Sequence, residues 1–269
     1  MRAARTVKGL IAAAVAALVG SSLAVPLLGL GSSNPLDSHP QPDLFPPSLV
    51  QPLGSQLAEQ KPVADRAFAT WSRTHPGADD AAFVAFAVAQ TPLPPSPAGR
   101  ADELVEVQRL ASARTGDYIA TSTWLELYGK TEIWKTYRHQ YADLQPKSTG
   151  QAAKDELKHT RTLTKQVTAA AQARFNLDAP FIADPTLRTD KTIKPGTHKL
   201  SYPSKHAVEA FSAMTLLDNL EPLRSTEFTA MADQVAYSRL YMAGHYRSDL
   251  IAGAYLGYLI GDYEVATKA

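Results

Sequence analysis

Two histidines, an arginine and an aspartate in the C-terminal third have the types and spacing to do chemistry on an anion. His206 lies in "SYPSKHAVEAFSAM" (201–214); Arg239, His245 and Asp249 lie in "SRLYMAGHYRSD" (238–249). Histidine titrates near neutrality, so it can give or take a proton, and its free ring nitrogen can attack. Asp249 follows His245 by four residues, which on a helix places both on one face. There the carboxylate can hold the ring through Nδ1–H and leave Nε2 free. Arg239 falls on an apolar stripe with Phe228, Met231, Ala232, Val235 and Met242. A guanidinium on a buried face must meet an anion or several carbonyl groups.

The helix that carries His206 has its own apolar stripe, Ala207, Ala210, Phe211, Met214 and Leu217. Ser201 or Ser204 can cap its start, and Pro203 tolerates a first-turn position because its missing N–H would be unpaired there. Such a start leaves backbone N–H groups unsatisfied and carries partial positive charge, a ready anion site. Lys205 adds a mobile cation to it. Each feature also has an ordinary structural explanation: a capped helix, an ion pair of Arg239 with Asp233 or Asp249, a helix-stabilising His–Asp contact. Their coincidence within residues 201–249 points to one pocket.

The elements that must position these residues are helices. Apolar residues recur at three- and four-residue spacing from 101 to 143, broken near Gly116 and Gly129, and again from 149 to 175 and in three patterns after 203. No long alternating run exists that would build a sheet. The expected architecture is all-α, a single helical-bundle domain over residues 63–269 whose N-terminal half mostly supplies packing. Glycines 253 and 257 let another helix approach the last one closely. Eight of the 19 prolines fall between Val25 and Pro62, which reads as an extended linker or surface strap. Residues 1–24, with Arg2, Arg5 and Lys8 ahead of "LIAAAVAALVG", read as a signal peptide cleaved before Val25, or as an N-terminal membrane anchor if uncleaved. The expected location is therefore exported, periplasmic or extracellular. With no cysteine, thiol and disulfide chemistry is excluded, and a net charge of +1 gives no support for nucleic-acid binding.

"PSKH" (203–206), followed after 31 residues by "SRLYMAGHYRSD", resembles the second and third signature motifs of the type 2 phosphatidic acid phosphatase superfamily, which includes bacterial non-specific acid phosphatases, lipid phosphatases and vanadium-dependent haloperoxidases. The resemblance covers roughly residues 165 to 265 and implies an all-α bundle of the acid phosphatase/haloperoxidase type. It implies that His245 is the nucleophile that becomes phosphohistidine, that Asp249 fixes its tautomer, and that His206 is the acid protonating the leaving oxygen. Arg239 and Ser204 would hold the non-bridging oxygens. No metal or cofactor is implied, although vanadate can mimic phosphate. The partner would be a phosphorylated small molecule or a lipid headgroup.

The sequence departs from the pattern in two places. Lys205 stands where the family has glycine. In the first motif, whose counterpart here is "QARFNLDAPF", Gln172 and Ala179 occupy the lysine and arginine positions. Lys205 and Arg174 are the expected replacement cations, with Arg188, Lys191 and Lys194 as further candidates. The implied activity is an exported phosphatase acting on phosphomonoesters. The alternatives are a degenerate member that binds a phosphorylated ligand without turning it over, and a vanadium-dependent haloperoxidase.

Overall fold

The computed structural model describes residues 35–188 and 199–268, and over these the chain is built of helices and turns with one isolated antiparallel bridge, Asp178 to Leu200. Residues 1–24, Lys191 and Lys194 lie outside the described residues. In chain order the helices are α1 (Pro47–Ala58), α2 (Lys61–Ser72), α3 (Asp80–Gln90), α4 (Pro97–Ser112), α5 (Gly116–Tyr128), α6 (Glu132–Asp143), α7 (Lys147–Phe175), α8 (Pro180–Ala183), α9 (Lys205–Leu220), α10 (Ser225–Tyr241) and α11 (Arg247–Lys268). Their starts follow local chemistry. Asp79 accepts the Ala82 N–H at the head of α3, and Ser96 accepts the Gly99 N–H at the head of α4, with Pro97 in the first helical position. Asn176 closes α7 in the left-handed conformation (φ 49°).

The centre of the bundle is α9, buried on every side from His206 to Leu217. A helix that turns no face to water must be wrapped by others, and α6, α7, α10 and α11 pack around it. Three glycines of α11, at 253, 257 and 261, allow its close approach to α9. A Cβ at Gly253 would stand 2.8 Å from the Ser204 carbonyl oxygen, and one at Gly257 would stand 2.5 Å from Phe211 Cβ. α9, which carries His206, and α11, which carries Asp249, are thereby pressed backbone to backbone.

Residues 47–58, read from composition as part of a linker or strap, form α1 instead. Pro47 occupies the first helical position, where no N–H is needed. Pro52 sits inside the helix at a cost of about 3 kcal/mol. Val50, Leu53 and Leu57 offset it by burial against α10 and α11, each worth about 1.5–3 kcal/mol. The segment before α1 is anchored too. Phe45 is buried among Tyr118, Tyr237 and Tyr241, and the Gln234 side chain bonds both its N–H (3.1 Å) and its C=O (2.7 Å).

Candidate active site

The turn between α10 and α11 holds His245. α10 ends at Tyr241 and α11 begins at Arg247, so His245 and Asp249 do not share one continuous helical face as their spacing predicts. Ala243 makes the turn with φ +57°, a left-handed conformation costing a non-glycine residue about 1–2 kcal/mol. The turn carries His245 back over the start of α9. Its Nδ1 lies 2.9 Å from the carbonyl oxygen of Ser201, with Asp249 Oδ2 behind at 3.5 Å. The proton on Nδ1 is donated mainly to that backbone carbonyl, and Nε2 is left for chemistry.

Asp249 is fully buried and used on every side. Oδ2 accepts the Tyr246 N–H at 2.9 Å, closing the head of α11, and Oδ1 takes Arg100 Nη1 at 3.1 Å. Its backbone carbonyl accepts the Ser204 N–H at 2.9 Å, which fastens the start of α9 to α11. Ser204 is the N-cap of α9, its Oγ accepting the Ala207 N–H at 3.4 Å.

The His206 ring stands edge-on to that of His245, with centroids 6.4 Å apart and planes at 67°. Nε2 of His206 is 3.5 Å from Glu126 Oε2 and 3.4 Å from the Glu126 carbonyl oxygen. Arg239 completes the group, and its guanidinium is ion-paired with the same Glu126 carboxylate. Burial pushes the Arg239 guanidinium down to about 10, which leaves it charged at neutral pH. Burial also holds both histidines below the ordinary value. For His206 the charges of Lys130, His245, Lys199 and Lys205 add to the effect, whereas for His245 the bond to Asp249 and its charge oppose it. Both rings are therefore neutral near pH 7.

The other predicted residues divide. Lys205 is the first residue of α9, half-buried, and its charge reaches His206 and Glu209. Arg174 does not join the group: its guanidinium donates to the Val88 carbonyl at 2.6 Å and sits against Phe175, capping the end of α3. Arg188 lies over the Phe181 ring. Gln172, in the position of the expected lysine, donates its amide to the Pro203 carbonyl at 3.0 Å and so braces the "PSKH" turn. Ala179 is buried, and its N–H donates to the Lys199 carbonyl at 3.0 Å.

The N-terminal half supplies more than packing. Arg100, Glu103 and Glu106 are spaced by three along α4 and meet Asp249, Ser248 and Arg247 in turn. Glu103 accepts the Ser248 N–H at 2.8 Å and its hydroxyl at 2.7 Å, capping α11, and Glu106 pairs with Arg247. Arg100 also donates to the Asp178 carbonyl at 3.0 Å and Ser201 Oγ at 3.4 Å, with its guanidinium 4.1 Å above the Tyr246 ring. The i, i+3, i+6 charges of "RADELVE" were the available signal for this face. Glu126, in "WLELYG", gave none. Among the described residues no group of three or more His, Asp or Glu is arranged to hold a metal ion.

The described fold is an all-α bundle in which α9, α10 and the turn after α10 bring two histidines and an arginine into one buried group. Residues 161–265, which contain every motif residue, match the model of the PAP2 superfamily. A solved structure described as the crystal structure of the first transmembrane PAP2 type phosphatidylglycerolphosphate phosphatase, from Bacillus subtilis, is 15% identical. That likeness has a TM-score of 0.45 over 69% of this chain and 92% of that chain. No curated protein matches.

Proposed function

We propose that the protein is an exported phosphatase that hydrolyses phosphomonoesters of a small molecule or a lipid headgroup through a phosphohistidine. The observation that carries the reading is the pair of neighbouring buried rings, His245 and His206, with Arg239 joined to them through Glu126. The substrate phosphoryl lies between the rings with its non-bridging oxygens on Arg239 and the first N–H groups of α9. Nε2 of His245 attacks phosphorus as the ester P–O bond breaks, and His206 gives its proton to the leaving alkoxide. Water then attacks the phosphohistidine, His206 takes its proton, and phosphate leaves with His245 restored. The chemistry needs no metal, and vanadate would compete as a phosphate mimic. The negative charge of the phosphoryl raises the proton affinity of His206, which burial alone depresses.

Export rests on the sequence of residues 1–24 alone. Among the described residues no helix is long and apolar enough to cross a membrane. A second reading, a phosphate-ligand binder without turnover, draws support from the neutral Gln172 and Ala179. Hydrolysis of p-nitrophenyl phosphate between about pH 4 and 8, compared with His245→Ala, separates the two. Turnover lost in the variant supports the phosphatase; bound phosphate without turnover in the wild-type chain supports the binder.

A further inference from the structure

Glu126 is out of keeping with a pocket for an anion. Its carboxylate projects from α5 onto the guanidinium of Arg239, and Oε2 lies 3.5 Å from Nε2 of His206. These are the two groups that an entering phosphoryl needs. Arg100 is committed to Asp249 and to the Asp178 carbonyl. Both histidines are neutral near pH 7, and Gln172 and Ala179 carry nothing. The charges of Lys130, Lys199 and Lys205 reach His206. With Glu126 ionised, the Arg239–Glu126 wall has no net charge.

We propose that Glu126 sets the charge that the site accepts: its carboxylate occupies the guanidinium of Arg239, so the pocket takes a singly charged phosphoryl in preference to a doubly charged one. The proposal rests on the phosphatase reading and names its substrate form. A phosphomonoester is singly charged below its second pKa of about 6. The residue repels a dianion twice as strongly as a monoanion, because Coulomb energy is proportional to the product of charges. It discriminates by charge, whereas the alcohol part of the substrate is left to the pocket mouth.

Tungstate and perrhenate are tetrahedral oxyanions of similar size that differ by one charge. Their binding is measured by titration calorimetry at about pH 7.5 on the full chain, on Glu126→Gln and on Glu126→Asp. Glu126→Gln raises the affinity for tungstate relative to perrhenate by about tenfold, and Glu126→Asp, which keeps the charge, leaves the ratio near the wild-type value. An equal change for both anions in Glu126→Gln, or no change, overturns the proposal while the oxyanion site stands. If neither anion binds any of the three proteins, and Arg239→Ala alters nothing, the proposal and the phosphatase reading fall together.

Discussion

Nδ1 of His245 is held by the carbonyl oxygen of Ser201 at 2.9 Å, closer than the 3.5 Å to Asp249. The backbone of the "SYPSKH" turn thus fixes the tautomer of the candidate nucleophile, and Asp249 adds a longer contact and its charge and joins α9 to α11. Asp249→Asn then keeps the ring oriented and lowers kcat by about 10–100-fold, the scale for partners that orient a histidine. His245→Ala removes turnover. Equal loss in the two variants would mean that the Ser201 carbonyl does not hold the ring.

Arg100 is the counter-charge of a fully buried carboxylate. Arg100→Met leaves Asp249 without that partner, and breaking a buried pair costs about 3–5 kcal/mol. For a chain of this size that lowers Tm by roughly 6–20 °C. Thermal unfolding checks it, and Asp249→Asn added to Arg100→Met recovers part of the loss, because the uncompensated charge is gone. No recovery in the double variant would show that Arg100 acts through its other contacts.

Gly253 is where α11 meets the start of α9. A Cβ there would lie 2.7 Å from Ala207 Cβ and 2.8 Å from the Ser204 carbonyl oxygen, and backbone cannot rotate away as a flexible side chain would. Gly253→Ala is expected to cost about 1–3 kcal/mol of stability. It also pushes His206 from His245, so activity falls more than the same destabilisation causes elsewhere. Gly77→Ala, at an exposed turn with open space around it but φ +96°, serves as the comparison for strain without a change in the site.

His159 ties three helices far from the motif residues in sequence. Its Nδ1 lies 2.5 Å from Glu264 and its Nε2 2.8 Å from Asp80, joining α7, α11 and α3. Burial pulls its proton affinity down, but the bonds to Asp80 and Glu264 and their charges outweigh it, and the net shift is upward. A group whose pKa is raised on folding stabilises fully below its unfolded value, about 6.5, and loses that contribution as pH rises through the folded value. The Tm difference between wild type and His159→Gln is therefore greatest below about pH 6 and shrinks on the alkaline side. A difference that grows with pH would contradict the charged clamp.

The helices were legible because their apolar spacing and their stops were local: Gly116, Gly129 and Pro222 all fall at or near helix ends. The motif residues were legible for the same reason, being fixed spacings within two short segments. α1 was not, since proline-rich composition points away from a helix that only burial of Val50, Leu53 and Leu57 makes stable. Arg100 and Glu126 come from 80 and more residues upstream of His206 and are brought in by packing of α4 and α5, which no local pattern encodes. Arg174 shows the reverse: its position near the expected lysine placed it in the pocket on paper, but the free carbonyl groups at the end of α3 claim it.

The central claim is that His245 attacks phosphorus. Full-length protein mixed with a phosphomonoester and quenched in alkali, where phosphohistidine survives, is digested and the peptide carrying His245 is analysed by mass spectrometry. The account predicts one added phosphoryl group on His245, absent from His245→Ala and accumulating when His206→Ala slows its hydrolysis. Turnover without any phosphoryl on His245, or a phosphoryl carried by His206 instead, would contradict it.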